Sequence, residues 1–392
     1  MADRPPEQAE ARVPADQRVL DHCVELLLPA QPAALAGDVD AVFASFDGGP
    51  VYPLPAEVVE ESRADIEAIR EQLGNPGHQQ ALGPFAQIDM TVDGRHWRAC
   101  SLTPLDTALR EGAQTRWWKL SRVMDVIPEL KDCAIDPVYE QALLSLGHRR
   151  GLVVVSGRGG AGKTVLLSSI VRATIAQHGG FGVVLGRTND LPLHGRHRDG
   201  LLLQVPYASQ ANTAGPAADD QEAMPLDRLV DSALAWRANL IMIDEIRSAE
   251  QAIALLRLIN AGFLVFTTIH AESLAMSLAA IEGMVDGRFS GWRSVLASSI
   301  VAAMHVEVTS MVRIRSRNSS DRPKPIRRVH TAFATVNDGD PLRAAIRAGT
   351  FERIATIRDA QQATLSSYTP ETATRLAGPN QQLDAALLRA GS

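Results

Sequence analysis

The sequence predicts an α/β domain built on a mostly parallel sheet, preceded by a smaller α+β domain. Three observations carry this. Four short apolar runs, GLVVVSG, FGVVLGRT, ANLIMIDE and GFLVFTTIH, alternate with helical text between residues 151 and 270, the rhythm of strands buried on both faces by helices. A complete Gly-x-x-x-x-Gly-Lys-Thr stands at 157–164, between the first run and the helix after it. Upstream of about Val126 the pattern differs, with shorter strand-like pieces around one acidic, helix-like segment.

Taken in order, residues 1–16 are Pro/Ala/Glu-rich and are expected to form a disordered tail. Residues 17–125 form the small α+β domain. It holds the helix-like AEVVEESRADIEAIREQLG and two strand-like pieces, AQIDMTV and RHWRACSL, joined at Asp93-Gly94 as a hairpin. Residues 126–136, with Pro128 inside and Pro137 behind, read as a linker. Residues 137–365 form the larger domain, from the helix-like YEQALLSLGHRR through the four runs to a strand-like pair starting at His305 and helices from Pro341. Residues 366–392 are expected as a helical or disordered tail.

A chain of 392 residues suggests two domains, and 45% hydrophobic against 21% charged residues excludes wholesale disorder. Cys23, Cys100 and Cys133 are far apart with no CxxC, which excludes a disulfide framework or zinc ribbon and fits a reducing compartment. The N-terminus lacks the apolar region of a signal peptide, and no run approaches the ~18 apolar residues of a membrane helix. The expectation is a soluble, cytoplasmic protein whose contact with a membrane comes through partners. A net charge of −6 gives no global attraction to nucleic acid. The stretch 313–328 holds seven basic residues against Asp321 but lacks interleaved aromatics, so a solvated hairpin loop is expected there rather than a phosphate-binding patch.

The residues that carry chemistry begin with the glycine-rich loop. Gly157, Arg158, Gly159, Gly160, Ala161, Gly162, Lys163 and Thr164, with Val165 behind them, follow a strand and open a helix. The glycines turn successive N–H groups into one concavity and the helix N-terminus adds partial positive charge, a cradle for a nucleotide β-phosphate. Lys163 would bridge β- and γ-phosphates and Thr164 would hold Mg2+. Only four of the 39 basic residues are lysine, so a lysine at this position is informative. The run LIMIDE places Asp244 and Glu245 at a strand end, the Walker B pattern. Asp244 would reach the metal, and Glu245 would orient and deprotonate water. Thr267, Thr268 and His270 end the fourth run at the same edge of the sheet, where they could sense the γ-phosphate. His194 and His197 lie in a polar loop with no supporting carboxylate or cysteine cluster, and no metal is expected there.

These pieces, in this order, resemble the secretion ATPase superfamily: type IV pilus retraction and assembly ATPases, type II secretion ATPases, and type IV secretion or conjugation ATPases. Glu245-Ile246-Arg247 fits that family's Walker B core, with Asp244 where glycine is usual, and AGFLVFTTIHAES at 261–273 fits its His box, with His270 on the family histidine. PLRAAIRAGTFERI at 341–354 resembles its C-terminal helical region. The acidic Asp box best matches Arg187-Thr188-Asn189-Asp190-Leu191-Pro192-Leu193, where only Asp190 keeps a carboxylate.

The resemblance implies a RecA-like P-loop ATPase domain behind a PAS-like N-terminal domain that supplies arginines to the nucleotide. Arg98 aligns with one, whereas Trp118-Lys119-Leu120 offers a lysine for the second. It further implies ATP and Mg2+ as ligands, Glu245, His270 and Arg247 as catalytic candidates, Asp190 beside Thr164 and Asp244 at the metal, a homohexameric ring, and a secretion or pilus platform at the inner membrane as partner. A non-hydrolysing nucleotide switch and a nucleic-acid-binding P-loop ATPase are the alternatives.

Overall fold

The structure, a computed structural model, describes residues 23–30, 42–45, 51–54, 56–74, 87–92, 94–102, 116–186, 191–208, 224–312, 325–337 and 339–365. The chain divides into two compact units, Met1–Val123 and Met124–Ser392.

In the first unit, strands β1 (Glu25–Pro29), β2 (Phe43–Ser45) and β3 (Tyr52–Pro53) precede helices α1 (Ala56–Glu61) and α2 (Arg63–Leu73), then β4 (Gln87–Val92), β5 (Arg95–Leu102) and β6 (Trp117–Arg122). They form one antiparallel sheet in the order β3-β2-β1-β6-β5-β4. The single helix expected over 56–74 is two, parted at Ser62. Alternation along β5 and β6 sends Trp97, Ala99, Trp118 and Leu120 into a core with Ile66, Ile69 and Leu73 of α2. Arg98 and Lys119 therefore point from the opposite face. Val92 pairs with Arg95 across the two-residue turn; its Gly94 takes φ +74°, and Asp93 lies outside the described residues.

The second unit opens with α3 (Pro137–Leu144), β7 (Gly151–Gly157), α4 (Lys163–His178), β8 (Gly180–Gly186), β9 (Gly195–His197), β10 (Gly200–Ala208) and β11 (Met224–Pro225). Then come α5 (Leu226–Trp236), β12 (Leu240–Ile246), α6 (Ala249–Asn260), β13 (Leu264–His270), α7 (Leu274–Val285), α8 (Trp292–Ser299), β14 (Ile300–Val312), β15 (Pro325–Thr335), α9 (Pro341–Ala348) and α10 (Arg353–Leu365). The sheet runs β11-β10-β8-β12-β13-β7-β14-β15, with β9 beside β10. It is parallel except at β9 and in the β14–β15 hairpin.

Each central strand feeds two cores because successive side chains leave opposite faces. Val153, Val155, Leu240, Met242, Leu264 and Phe266 pack on α3 and α4. Leu152, Val154, Ile241, Ile243, Val265 and Ile269 pack on α5 to α10. Residues expected as a linker join the first of these cores: Ile127, Leu130 and Ile135 are buried there, and the Ser169 hydroxyl of α4 donates to the Pro128 carbonyl at 2.9 Å. The polar loop around His194 contains a strand, β9, and His197 Nε2 sits 2.8 Å from the Leu193 carbonyl. Residues 366–392, and 313–324 of the basic stretch, lie outside the described residues.

Candidate functional site

The glycine-rich loop leaves the carboxyl end of β7, a strand buried along its whole length. Gly157 cannot carry a side chain: a Cβ there would stand 2.4 Å from the Val306 carbonyl oxygen of β14. Gly160 and Gly162 take φ +73° and +81°, left-handed backbone that glycine reaches without strain. The Gly162 carbonyl accepts the first helical bond, from Leu166 N at 2.9 Å. The helix is fixed by Leu166, Leu167, Ile170, Val171 and Ile175, all buried against the sheet, roughly 1.5–3 kcal/mol for each side chain. Space beside the loop is open: a Cβ on Gly162 would meet nothing within 4 Å.

Lys163, the first residue of α4, is 7% exposed and bends back to donate to the Arg158 carbonyl at 3.0 Å. Burial pulls its ammonium below its usual range, and the nearby Glu245 carboxylate works against that pull. Arg158 is exposed and pairs with Glu272 at 3.2 Å, tying the loop to the turn after β13. Thr164 and Val165 are half-buried.

The acidic strand end holds a feature that the sequence does not show. Ile243 pairs with Thr267 but Ile246 pairs with Ile269, so β12 advances three residues while β13 advances two. Ile243 and Ile246 face the same core, and the extra residue therefore puts Asp244 and Glu245 together on the other side, the face that carries α4. Both are partly exposed. Glu245 accepts from the Arg247 guanidinium, and this bond is the main reason the Arg247 cation is held above its ordinary range.

The fourth run ends beside the loop. His270 is paired with Gly157 across β13 and β7, and the next residue, Ala271, donates to the Gly157 carbonyl at 3.3 Å. The exposed imidazole lies over the loop, its Cε1 3.6 Å from where a Cβ on Gly159 would stand. The two threonines separate. Thr267 is fully buried and gives its hydroxyl to the Asp244 carbonyl at 3.0 Å, which braces the irregular strand end. Thr268, on the α4 face with His270, is buried with no partner for its hydroxyl among the described residues.

Asp190 lies outside the described residues. Arg98, in the first unit, makes a two-pronged pair with Asp89, at 2.9 and 3.2 Å. Lys119 pairs with Glu25 at 2.9 Å. Among the described residues no cluster of three or more His, Cys, Asp or Glu is placed to hold a metal by itself. Sequence reasoning missed His305, which pairs with Ser156 just before the loop, its Nδ1 3.0 Å from the serine hydroxyl. Burial holds that ring below its ordinary range, Glu307 opposes this, and Arg358, Lys163 and Arg158 reinforce it. It also missed Gln251 and Tyr207, buried behind Arg247. Tyr207 sits in no recognisable motif, and the Ser248-x-x-Gln251 spacing signals a helix start but not the bonds to Arg247 and Tyr207.

Comparison with known proteins supports the same architecture. Among solved structures, the Legionella pneumophila ATPase DotB aligns with 99% of this chain and 98% of its own at TM-score 0.58 and 15% identity. The Yersinia pseudotuberculosis ATPase DotB aligns over 97% of each chain at 0.58 and 14%. The pilus retraction motor PilT with bound ADP aligns over 93% and 96% at 0.55 and 16%. At these identities the likeness is one of fold: a RecA-like P-loop domain behind a smaller N-terminal domain. No curated protein matches the sequence. The model of the family described as "Type II/IV secretion system protein" matches residues 119–336. That span is more than half of the chain, and the chain belongs to the type II/IV secretion system protein family.

Proposed function

We propose that this protein is a Mg2+-dependent ATPase, the ring-forming motor of a type IV secretion, conjugation or pilus machine, held at the inner membrane by partner proteins. The observation that carries this reading is the convergence of the loop 157–164, the Asp244–Glu245 pair and His270 at the carboxyl ends of β7, β12 and β13. Among the described residues no helix is long and apolar enough to cross a membrane, so docking through partners fits.

In this reading the backbone of Gly157 to Thr164 cradles the β-phosphate, and Val165 begins the helix behind it. Lys163 exchanges the Arg158 carbonyl for the β- and γ-phosphate oxygens. The trade is favourable because phosphate charge removes the cost of burying the ammonium. The Thr164 hydroxyl and the Asp244 carboxylate hold Mg2+, hard oxygen donors suited to that ion; Asp190 is the third candidate. Mg2+ supplies charge neutralisation at the phosphates. Glu245 takes the proton of the attacking water on Oε1 while the Arg247 guanidinium holds Oε2 and keeps the carboxylate in place. His270 and the Thr268 hydroxyl face the position of the γ-phosphate. Arg98, paired with Asp89 in this structure, is the candidate for an arginine supplied to the nucleotide.

A second reading, an ATP-binding switch without turnover, is favoured by one observation: the Glu245 carboxylate is already occupied by Arg247. Steady-state Mg-ATP hydrolysis by the full chain beside Glu245→Gln, with the particle mass read in the same samples, separates the two. A hexamer whose turnover vanishes in the variant supports the motor. Equal background hydrolysis in both proteins, with nucleotide bound, removes it and leaves the switch.

A further inference from the structure

The turn that follows the acidic strand end is held by one buried side chain. Gln251, 5% exposed, is the third residue of α6; its Oε1 accepts from the backbone N–H of Arg247 at 2.7 Å and of Ser248 at 3.0 Å. Its Nε2 donates to the Tyr207 hydroxyl at 2.6 Å. Tyr207, 4% exposed, sits at the end of β10, with β8 lying between it and β12 in the sheet. Part of this is an ordinary capping box: the Ser248 side chain accepts from Gln251 N, and Gln251 answers at Ser248 N. A cap needs neither of the remaining bonds. The bond to Arg247 N fixes a residue before the helix begins, and the bond to Tyr207 carries the anchor across the sheet. The fixed residue is the one whose guanidinium holds Glu245. An amide that is buried on both sides and bonded through both of its polar atoms has one orientation open to it.

We propose that Gln251, braced by the Tyr207 hydroxyl, is a positioning residue for the Glu245 carboxylate. It sets the Arg247 backbone, from which the guanidinium reaches back to the strand end. The irregular pairing between Ile243 and Ile246 leaves that strand end without a regular ladder to hold it. The Thr267 hydroxyl braces it at Asp244, and the Tyr207–Gln251–Arg247 chain adds a restraint beyond it, at Arg247. The inference rests on the reading of Glu245 as the base.

The test uses the full chain and four variants: Tyr207→Phe, Gln251→Ala, Ser248→Ala and Glu245→Gln. Steady-state kcat and KM for Mg-ATP and the thermal shift given by Mg-ADP are read for each. Expected are an about tenfold fall in kcat for Tyr207→Phe and Gln251→Ala, since a small misplacement of a base has a large kinetic effect. KM and the ADP shift stay within twofold of wild type, and Ser248→Ala loses melting temperature but keeps kcat. Wild-type kcat in Tyr207→Phe, with Glu245→Gln inactive, overturns the positioning role and leaves the base assignment standing. A loss of kcat in Ser248→Ala equal to that in Gln251→Ala also overturns it, because capping would then account for the effect. Wild-type hydrolysis no greater than that of Glu245→Gln removes the base assignment and this inference together. Tyr207→Phe alone decides the matter if Gln251→Ala does not fold.

Discussion

Replacing Lys163 by methionine is expected to leave the unliganded protein about as stable as before while removing its response to nucleotide. The side chain is 7% exposed and makes one bond, to the Arg158 carbonyl, that methionine cannot make. That loss costs about 1 kcal/mol. Against it, methionine relieves the burial of an ammonium whose proton affinity is already depressed by desolvation. The sign follows from the direction of that shift. An unfolded lysine holds its proton up to its ordinary range, so the folded state binds fewer protons just below that range. Stability there rises with pH, and at neutral pH the buried charge is a full burden. The two effects oppose, and the net change should stay within about 1 kcal/mol, or roughly 2–4 °C for a unit of this size. Nucleotide at 100 times its Kd stabilises the native state by about 2.7 kcal/mol. That corresponds to a rise of about 5–11 °C. The assay is thermal unfolding of both proteins with and without Mg-ADP. A wild type that does not shift would refute nucleotide binding at the loop. A variant that shifts as far as wild type would refute the role given to Lys163.

Gly157→Ala should destabilise the larger unit by about 1–3 kcal/mol, because its Cβ meets a backbone oxygen of β14 at 2.4 Å and the strands must part; a melting temperature equal to wild type would show that the sheet yields freely there. His305 predicts a pH dependence. Its ring resists protonation when folded, so native stability should fall as pH drops below about 6.5, where the unfolded histidine gains its proton, and level off once the folded ring titrates. Denaturant unfolding between pH 5 and 8 should show that slope in wild type and a flatter one in His305→Asn; identical slopes would assign the dependence to other groups.

The four central strands β7, β8, β12 and β13 were legible because each apolar run is short and bounded by glycine or by polar residues; β9, β10 and β11, at the sheet's edge and less evenly buried, were not. The loop at 157–164 was legible because left-handed backbone at Gly160 and Gly162 and the close approach of β14 at Gly157 leave few substitutes for glycine, and because a lysine is rare in this chain. The packing of Ile127, Leu130 and Ile135 was not. Two prolines nearby suggest a linker, and nothing local tells that the third dimension brings α4 over them. The break at Ser62 was hidden by a continuous helical pattern. The orientation of Asp244 and Glu245 depends on how β12 is paired with β13, and pairing is a relation between distant segments that strand periodicity does not contain. Gln251 reads in sequence as a polar helix residue; its importance comes from Tyr207, 44 positions away.

The extra residue in β12 makes the strand a counter of odd and even. Were a single position deleted between Ile243 and Ile246, the ladder to β13 would regularise and alternation would resume without interruption. One carboxylate would remain where two stood, with no choice left over which of them holds a metal and which takes a proton. In the proposed mechanism two adjacent acids divide those tasks because the strand loses step once, so a one-codon deletion here should abolish ATP hydrolysis even if it leaves the melting temperature intact.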